Sequence, residues 1–157
     1  MEGQNVIRIT FPQQYPLDDI SIRYVQGFTG LYFIFLENLA IPYPLVASTL
    51  IYIGMSDSKQ NSIGNRLRDH KSGQSGNIGI MNYALRYKVN FAYLRTDMLK
   101  ILGSDKAVEL ESFFLTSFAT AHGTYPICNN QSGISFPDSP IDKHAVFVDW
   151  GFFQLVI

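Results

Sequence analysis

Five side chains in this sequence have the types and the order needed to act on a phosphodiester. Tyr32 and Tyr52 sit on two apolar runs, GLYFIFLE at 30–37 and LIYIG at 50–54. Arg66 and His70 follow in NRLRDH at 65–70, and Glu111 lies in ELESFFL at 109–115. Hydrolysis of a phosphodiester requires an activated water, stabilisation of the anionic phosphorus and protonation of the leaving oxygen. A fixed guanidinium can grip two phosphate oxygens at once. A single carboxylate, with waters and phosphate oxygens, is an ordinary first shell for Mg²⁺. A tyrosine can position the water, but with a reference pKa of about 10 it needs a neighbour's help to act as a base at neutral pH. His70 is the candidate helper.

These side chains must be held by particular elements. LYFIFLE at 31–37 is apolar on both alternating faces, which predicts a central strand covered on both sides. LIYIG predicts a second strand. The connection contains Asn38, Pro42 and Pro44 and suits a long hairpin loop, so the two strands are expected to be antiparallel, with Tyr32 beside Tyr52. A polar loop, MSDSKQNS, precedes a short helix from about Ile63 to Lys71. On that helix Arg66 and His70 share a face with Ile63 and Leu67, while Arg68 points away. KSGQSGNIG at 71–79 is expected to be a loop, IMNYALRYK a second helix and NFAYLR a third core strand. VIRITF at 6–11 predicts a short strand, YPICNNQSG a turn-rich return, and AVFVDWGFFQLVI a strand-like C-terminal stretch that could add an edge strand or dock a partner.

SDKAVELESFFLTSFATAH reads as an amphipathic helix, with Ser104 a plausible N-cap and Gly123 a plausible stop. With Glu111 set at 0° and about 100° per residue, Ala107, Val108, Phe114, Leu115 and Phe118 fall within about 60° of it, and Glu109 falls at about 160°. Glu111 is thus expected on the buried stripe and Glu109 towards solvent. A carboxylate there is costly unless a cation, a metal or hydrogen bonds satisfy it. Pairing with a core arginine and metal binding both remain open.

Composition bounds the class. The chain has 157 residues, 46% apolar and 14% aromatic, enough for one domain with a real core and unlike a disordered chain. No apolar run approaches the roughly 18 residues of a membrane span, so no membrane partner is expected. MEGQNVIRITF lacks a signal-peptide pattern, and a cytoplasmic location is the expectation, or a nuclear one if the host has a nucleus. One cysteine, Cys128, excludes an internal disulfide and a Cys-cluster zinc site. The net charge of −1 hides an asymmetry: residues 59–100 hold eight Lys/Arg and two Asp, a net of +6, against −7 elsewhere. A local basic region suits phosphate contact, and Arg68, Lys71, Arg86 and Lys88 within it are the candidate DNA-binding residues.

Taken in order, these motifs resemble the GIY-YIG nuclease superfamily. GLY at 30–32, YIG at 52–54, Arg66 with His70, Glu111, and Asn129 after Pro126 in YPICNN follow the family's sequence of motifs over about residues 28–133 of a single 1–157 domain. The resemblance implies an α+β fold, a small antiparallel three-stranded central sheet flanked by helices, with additional terminal strands. It implies a metal-dependent DNA endonuclease, such as one of restriction type. Tyr32 and Tyr52 would position or activate the water, Tyr32 being the favoured base. Arg66 would stabilise the transition state, His70 would assist Tyr32, Glu111 would hold Mg²⁺ or Mn²⁺, and Asn129 would order the site. Gly54 would allow close backbone approach. GLY replaces GIY, and the 19-residue spacer at 33–51 is long for the family. No second DNA-binding module is evident, so specificity would come from loops, the chain ends or a homodimer. The alternative is a nucleic-acid-binding module of the same fold with weak catalysis.

Overall fold

The computed structural model describes residues 6–11, 13–129 and 139–155. Its architecture is α+β. In chain order the elements are β1 (Ile7–Ile9), β2 (Tyr15–Pro16), α1 (Asp19–Arg23), β3 (Gly30–Leu36), β4 (Leu50–Ser56), α2 (Ile63–Ser72), α3 (Ile78–Arg86), β5 (Val89–Arg95), α4 (Thr96–Leu99), α5 (Ala107–His122) and β6 (Val146–Val148). The main sheet has the order β2-β5-β3-β4 and is antiparallel throughout, so the expected three-stranded core carries the two-residue β2 on one edge. β1 and β6 form a separate parallel pair.

The uninterrupted apolar run in β3 buries all seven of its residues, as a strand sandwiched between two layers must. Leu31, Phe33 and Phe35 point into one layer, with Phe114 and Phe118 of α5 and with Trp150 and Phe153. Tyr32, Ile34 and Leu36 point into the other, with Ile63 and Leu67 of α2 and Ile80 of α3. The period-2 alternation of a strand therefore sorts β3 into an all-apolar side and a side that contains a tyrosine. The link between β3 and β4 is a long hairpin, as expected, and is narrowed by an isolated Ile41–Ser48 bridge.

The ends of the helices follow capping chemistry at α2 and α3. Ser62 accepts from Asn65 N (3.3 Å) and Asn77 accepts from Ile80 N (3.1 Å). Gly73, at φ 83°, stops α2 in the left-handed region. At α5 the expectation fails on one side. Ser104 is not the N-cap: Lys106 holds that position without a side-chain cap, and the Ser104 hydroxyl donates to Glu109 Oε2 at 2.6 Å. The hydroxyl donates to this carboxylate of the first turn while its oxygen still accepts from Lys106 N (3.2 Å), just ahead of the helix. Gly123 ends α5 at φ 96°, as its type requires.

The C-terminal stretch differs from a continuous strand. Only Val146–Val148 is extended, and Trp150–Phe153 forms a 3₁₀ turn. Phe153 is completely buried, Trp150 donates to Ser117 Oγ (3.2 Å), and the Phe153 carbonyl accepts from both Thr49 N (2.6 Å) and Thr49 Oγ1 (2.8 Å). Val146, Val148, Trp150 and Phe153 are thus core of the same chain, while Phe147 and Leu155 are exposed. Among the described residues no helix is long and apolar enough to cross a membrane. Phe153→Ala should therefore lower unfolding free energy by about 3–5 kcal/mol in urea titration, the range for truncating a buried aromatic. A loss below about 1 kcal/mol would show that the segment is not core.

Candidate active site

The register sets the site. Tyr32 lies directly opposite Gly54, and Tyr52 directly opposite Ile34, so the two tyrosines are diagonal neighbours rather than a facing pair. Their ring centroids are 6.0 Å apart. The Tyr32 ring lies flat over Gly54: a Cβ there would overlap Tyr32 Cζ and its hydroxyl. The absence of a side chain at Gly54 is what lets the phenol cross β4. There its hydroxyl meets His70 Nε2 at 2.9 Å, and His70 Nδ1 meets Ser75 Oγ at 2.8 Å.

Burial governs the charges of this group. Tyr32 is 1% exposed; desolvation pushes its pKa well up, neighbouring Tyr52 adds to the rise, and Arg66 opposes it. Burial also raises Tyr52, with Glu111 the next contribution. For His70, desolvation and then the adjacent Arg66 lower the pKa to about 4. The imidazole is neutral at pH 7, with one nitrogen free to accept.

Tyr52, Arg66 and His70 line a polar cleft of about 370 Å³ together with Asn61, Asp69, Gln74, Ser75, Gly76 and Asn77. Tyr32 does not reach the cleft wall; it lies behind Tyr52. Asn61 faces Arg66. With its amide turned so that the oxygen points at the guanidinium, it accepts from Nε (3.1 Å) and Nη2 (3.2 Å), leaving Nη1 for another acceptor. The helical phase of α2 is as read from sequence: His70 and Leu67 are buried, Arg66 is half-buried and Arg68 is exposed. Asn61 and Ser75 carry no sequence signal, because each acts through a single contact from a loop. Asn77 had one, as the residue just before the first turn of α3.

Glu111 projects from α5 near the same tyrosines. It is partly buried, and desolvation lifts its pKa to about 7, with Arg66 pulling the other way. Among the described residues it makes no ion pair or hydrogen bond, so the core-arginine pairing left open by helical phase is an influence through space and not a contact. Val108, expected on the same stripe, is 43% exposed, because the buried residues Ala107, Leu110, Phe114 and Phe118 lie on the other side of Glu111 around the helix. Among the described residues no three His, Cys, Asp or Glu side chains gather as a metal cage. A cation held by this one carboxylate, completed by phosphate oxygens and waters, fits the position.

Asn129 binds no other candidate side chain. Its Oδ1 accepts from Ile53 N and its Nδ2 donates to Ile53 O, both at 2.8 Å. The clamp fixes the backbone between Tyr52 and Gly54. Of the candidate DNA-binding residues, Arg68 is exposed and has no ion pair among the described residues. Lys71 pairs with Asp19 (3.3 Å), Lys88 with Glu37 (3.6 Å), and Arg86 donates to Asn82 O (3.3 Å). Arg86 ends α3 about 13 Å from the cleft residue Asn77, by the rise of nine residues.

Comparisons with protein-family models, with curated proteins and with solved structures find no match to this chain.

Gly54→Ala should displace the Tyr32 ring and cost about 1–3 kcal/mol, as overpacking does; an unchanged unfolding midpoint would refute the overlap. The pKa shifts have opposite signs in stability. The folded His70 pKa lies below its ordinary 6.5, so stability is lost as pH falls from 6.5 towards 4. Folded Glu111 lies above its ordinary 4.5, so stability is lost as pH rises from 4.5 through 7. Glu111→Gln should therefore gain on the wild type steadily between pH 4.5 and 7 in urea titrations without added metal. A pH-independent difference would contradict the assignment.

Proposed function

We propose that this chain is a metal-dependent endonuclease that hydrolyses DNA phosphodiester bonds through a GIY-YIG-type site. The observation that carries the reading is the buried Tyr32–His70 hydrogen bond, which ties the GLY and NRLRDH motifs together beside the Arg66 cleft. Tyr52, Arg66 and His70 line one cleft, Tyr32 is bonded to His70, Glu111 is close enough for Arg66 to act on its charge, and each has the chemistry that phosphodiester hydrolysis calls for. Arg66, oriented by Asn61, presents a guanidinium edge to a non-bridging phosphate oxygen, where it stabilises charge that grows in the transition state. Tyr52, on the cleft wall, orients the attacking water by hydrogen bonding. His70 also lines the cleft, bonded to the buried Tyr32 hydroxyl, and would assist Tyr32 as the resemblance implies. Glu111 would hold one divalent cation, Mg²⁺ or Mn²⁺. Such a cation, when bound, supplies Lewis-acid stabilisation of the phosphate and a lowered pKa for water. The carboxylate lacks a partner among the described residues and has a raised pKa, and both properties are relieved by a cation.

Arg68 is the basic side chain best placed for a phosphate flanking the scissile one, since it is exposed on the helix that carries Arg66. A site of this kind cuts one strand at a time, so cutting of both strands in restriction fashion calls for a homodimer. A second reading is a nucleic-acid-binding module of the same fold with weak catalysis. It is favoured by one observation: burial raises both tyrosines, which removes them from the range of a base at neutral pH.

Supercoiled plasmid incubated with Mg²⁺ decides between them. Glu111→Gln and Arg66→Ala should each lower nicking by about 10²-fold or more, the usual effect of losing one transition-state contact, with folding intact by circular dichroism. Full activity in either variant would sink the nuclease reading, and salt-dependent DNA binding without nicking across several divalent metals would establish the second. Cleavage at limiting Mg²⁺ should also rise as pH increases through about 7, because the ligand is the ionised Glu111. A rate that falls over that interval would exclude Glu111 as the ligand.

A further inference from the structure

Helix α3 starts at the cleft, where Asn77 is both its N-cap and a lining residue, and carries an exposed outward face. With Asn82 set at 0° and about 100° per residue, Ile78, Leu85 and Arg86 fall within about 60° of it, and Ile80 and Ala84 fall on the opposite side. Burial follows that phase. Ile80 is completely buried and Ala84 packs against the core, whereas Ile78, Asn82, Leu85 and Arg86 are exposed. Leu85, at 74%, is the most exposed large apolar side chain among the described residues, and Ile78 reaches 67%. The Asn82 side-chain amide makes no hydrogen bond among the described residues; its backbone carbonyl accepts from Arg86 Nη1 (3.3 Å). We propose that α3 is a reading helix that lies in the major groove of DNA beside the cleft, with Asn82 recognising adenine and Ile78 and Leu85 touching thymine methyl groups. The inference rests on the proposed action on DNA and adds base specificity to it.

Charge selects the occupant of this face. Residues 70–96, which contain α3, hold four Lys/Arg and no Asp or Glu. The acids that meet this region, Asp19 and Glu37, pair with Lys71 and Lys88 and do not lie on the helix. A second copy docked face to face on α3 would set cations against cations with no acid on either helix to offset them. A polyanion has no such penalty. The side-chain chemistry then points to base edges. An Asn amide bonds adenine N6 and N7 together in the major groove, and the paired thymine presents its methyl group there, where exposed apolar side chains can leave water. The scale also fits. The groove is about 12 Å wide and admits a helix. Ile78 and Leu85 are about 10 Å apart along the axis, roughly three base-pair rises. Asn82 stands about 8 Å along the axis from Asn77, which sets the adenine roughly two base pairs from the cleaved bond.

Selection of duplexes bound from a random-sequence pool, in EDTA so that nothing is cut, tests the base preference, and mapping of Mg²⁺-dependent cuts locates it. The wild type should enrich an A·T pair at a fixed position. Asn82→Ala should lower the discrimination against G·C at that position about 5- to 100-fold, the reach of one bidentate base contact. Placing 7-deazaadenine there, which removes N7, should weaken wild-type binding and weaken Asn82→Ala no further. Uracil in place of thymine, which removes only the methyl, should weaken the wild type and leave an Ile78→Ala, Leu85→Ala double variant indifferent. Selection without base preference, or a preference that survives Asn82→Ala and the double variant, overturns the reading helix and leaves the nuclease reading standing. A wild-type dimer in light scattering that Leu85→Ala converts to monomer gives the face to a second copy and also overturns it. Absence of wild-type nicking in any divalent metal overturns the nuclease reading, while an Asn82-dependent preference in EDTA still upholds α3 as the reading helix.

Discussion

A phenol buried in the middle of a sheet must find a hydrogen-bond partner, and much of this molecule follows from where Tyr32 finds one. Its hydroxyl would be stranded against β4 if position 54 carried a side chain. With glycine there, the ring crosses the strand and reaches His70, which fixes how α2 lies on the sheet. The orientation of α2 in turn brings Arg66 to the cleft and turns Arg68 away. The side of β3 that faces α5 contains no such requirement and is filled with aromatic rings, Phe33 packing edge-on to Phe114 at 5.6 Å. One face of the sheet is thus set by packing and the other by a polar contact.

The two layers also divide the electrostatic burden. Glu111 comes from the aromatic side and is lifted towards neutrality, whereas His70 comes from the other side and is lowered away from its charge. Both shifts have the same cause, desolvation, acting on groups of opposite type. Near pH 7 this leaves a neutral imidazole and a carboxylate raised to about 7, with Arg66 and Asp69 both on the cleft wall.

The sequence made legible whatever depended on local pattern. The unbroken apolar run of β3 signalled burial on both faces, whereas helical phase put Glu109 in solvent and the structure leaves it half-buried like Glu111. The α+β class and the antiparallel core followed from the order of the runs. What could not be read depended on contacts between distant segments or on competition for one hydroxyl. Ser104 satisfies a capping rule in sequence yet bonds Glu109. AVFVDWGFFQLVI is as apolar as a strand, but only three residues extend, because Trp150 and Phe153 turn inwards to fill the space beside α5. The diagonal placement of the tyrosines comes from strand register, which a long hairpin loop leaves open. Asn61 and Ser75 are ordinary loop residues until the fold sets them against Arg66 and His70.

The Asn129 clamp has a further consequence, for association. β4 is an outer strand of the main sheet, and its free backbone groups would ordinarily be a template for a strand from another molecule. At Ile53 that template is already taken by a side-chain amide that imitates a peptide, with both hydrogen bonds at 2.8 Å. A second copy could continue the sheet along β4 only by evicting Asn129 and stranding its amide. The residue that orders the backbone at Ile53 therefore also blocks the sheet edge there.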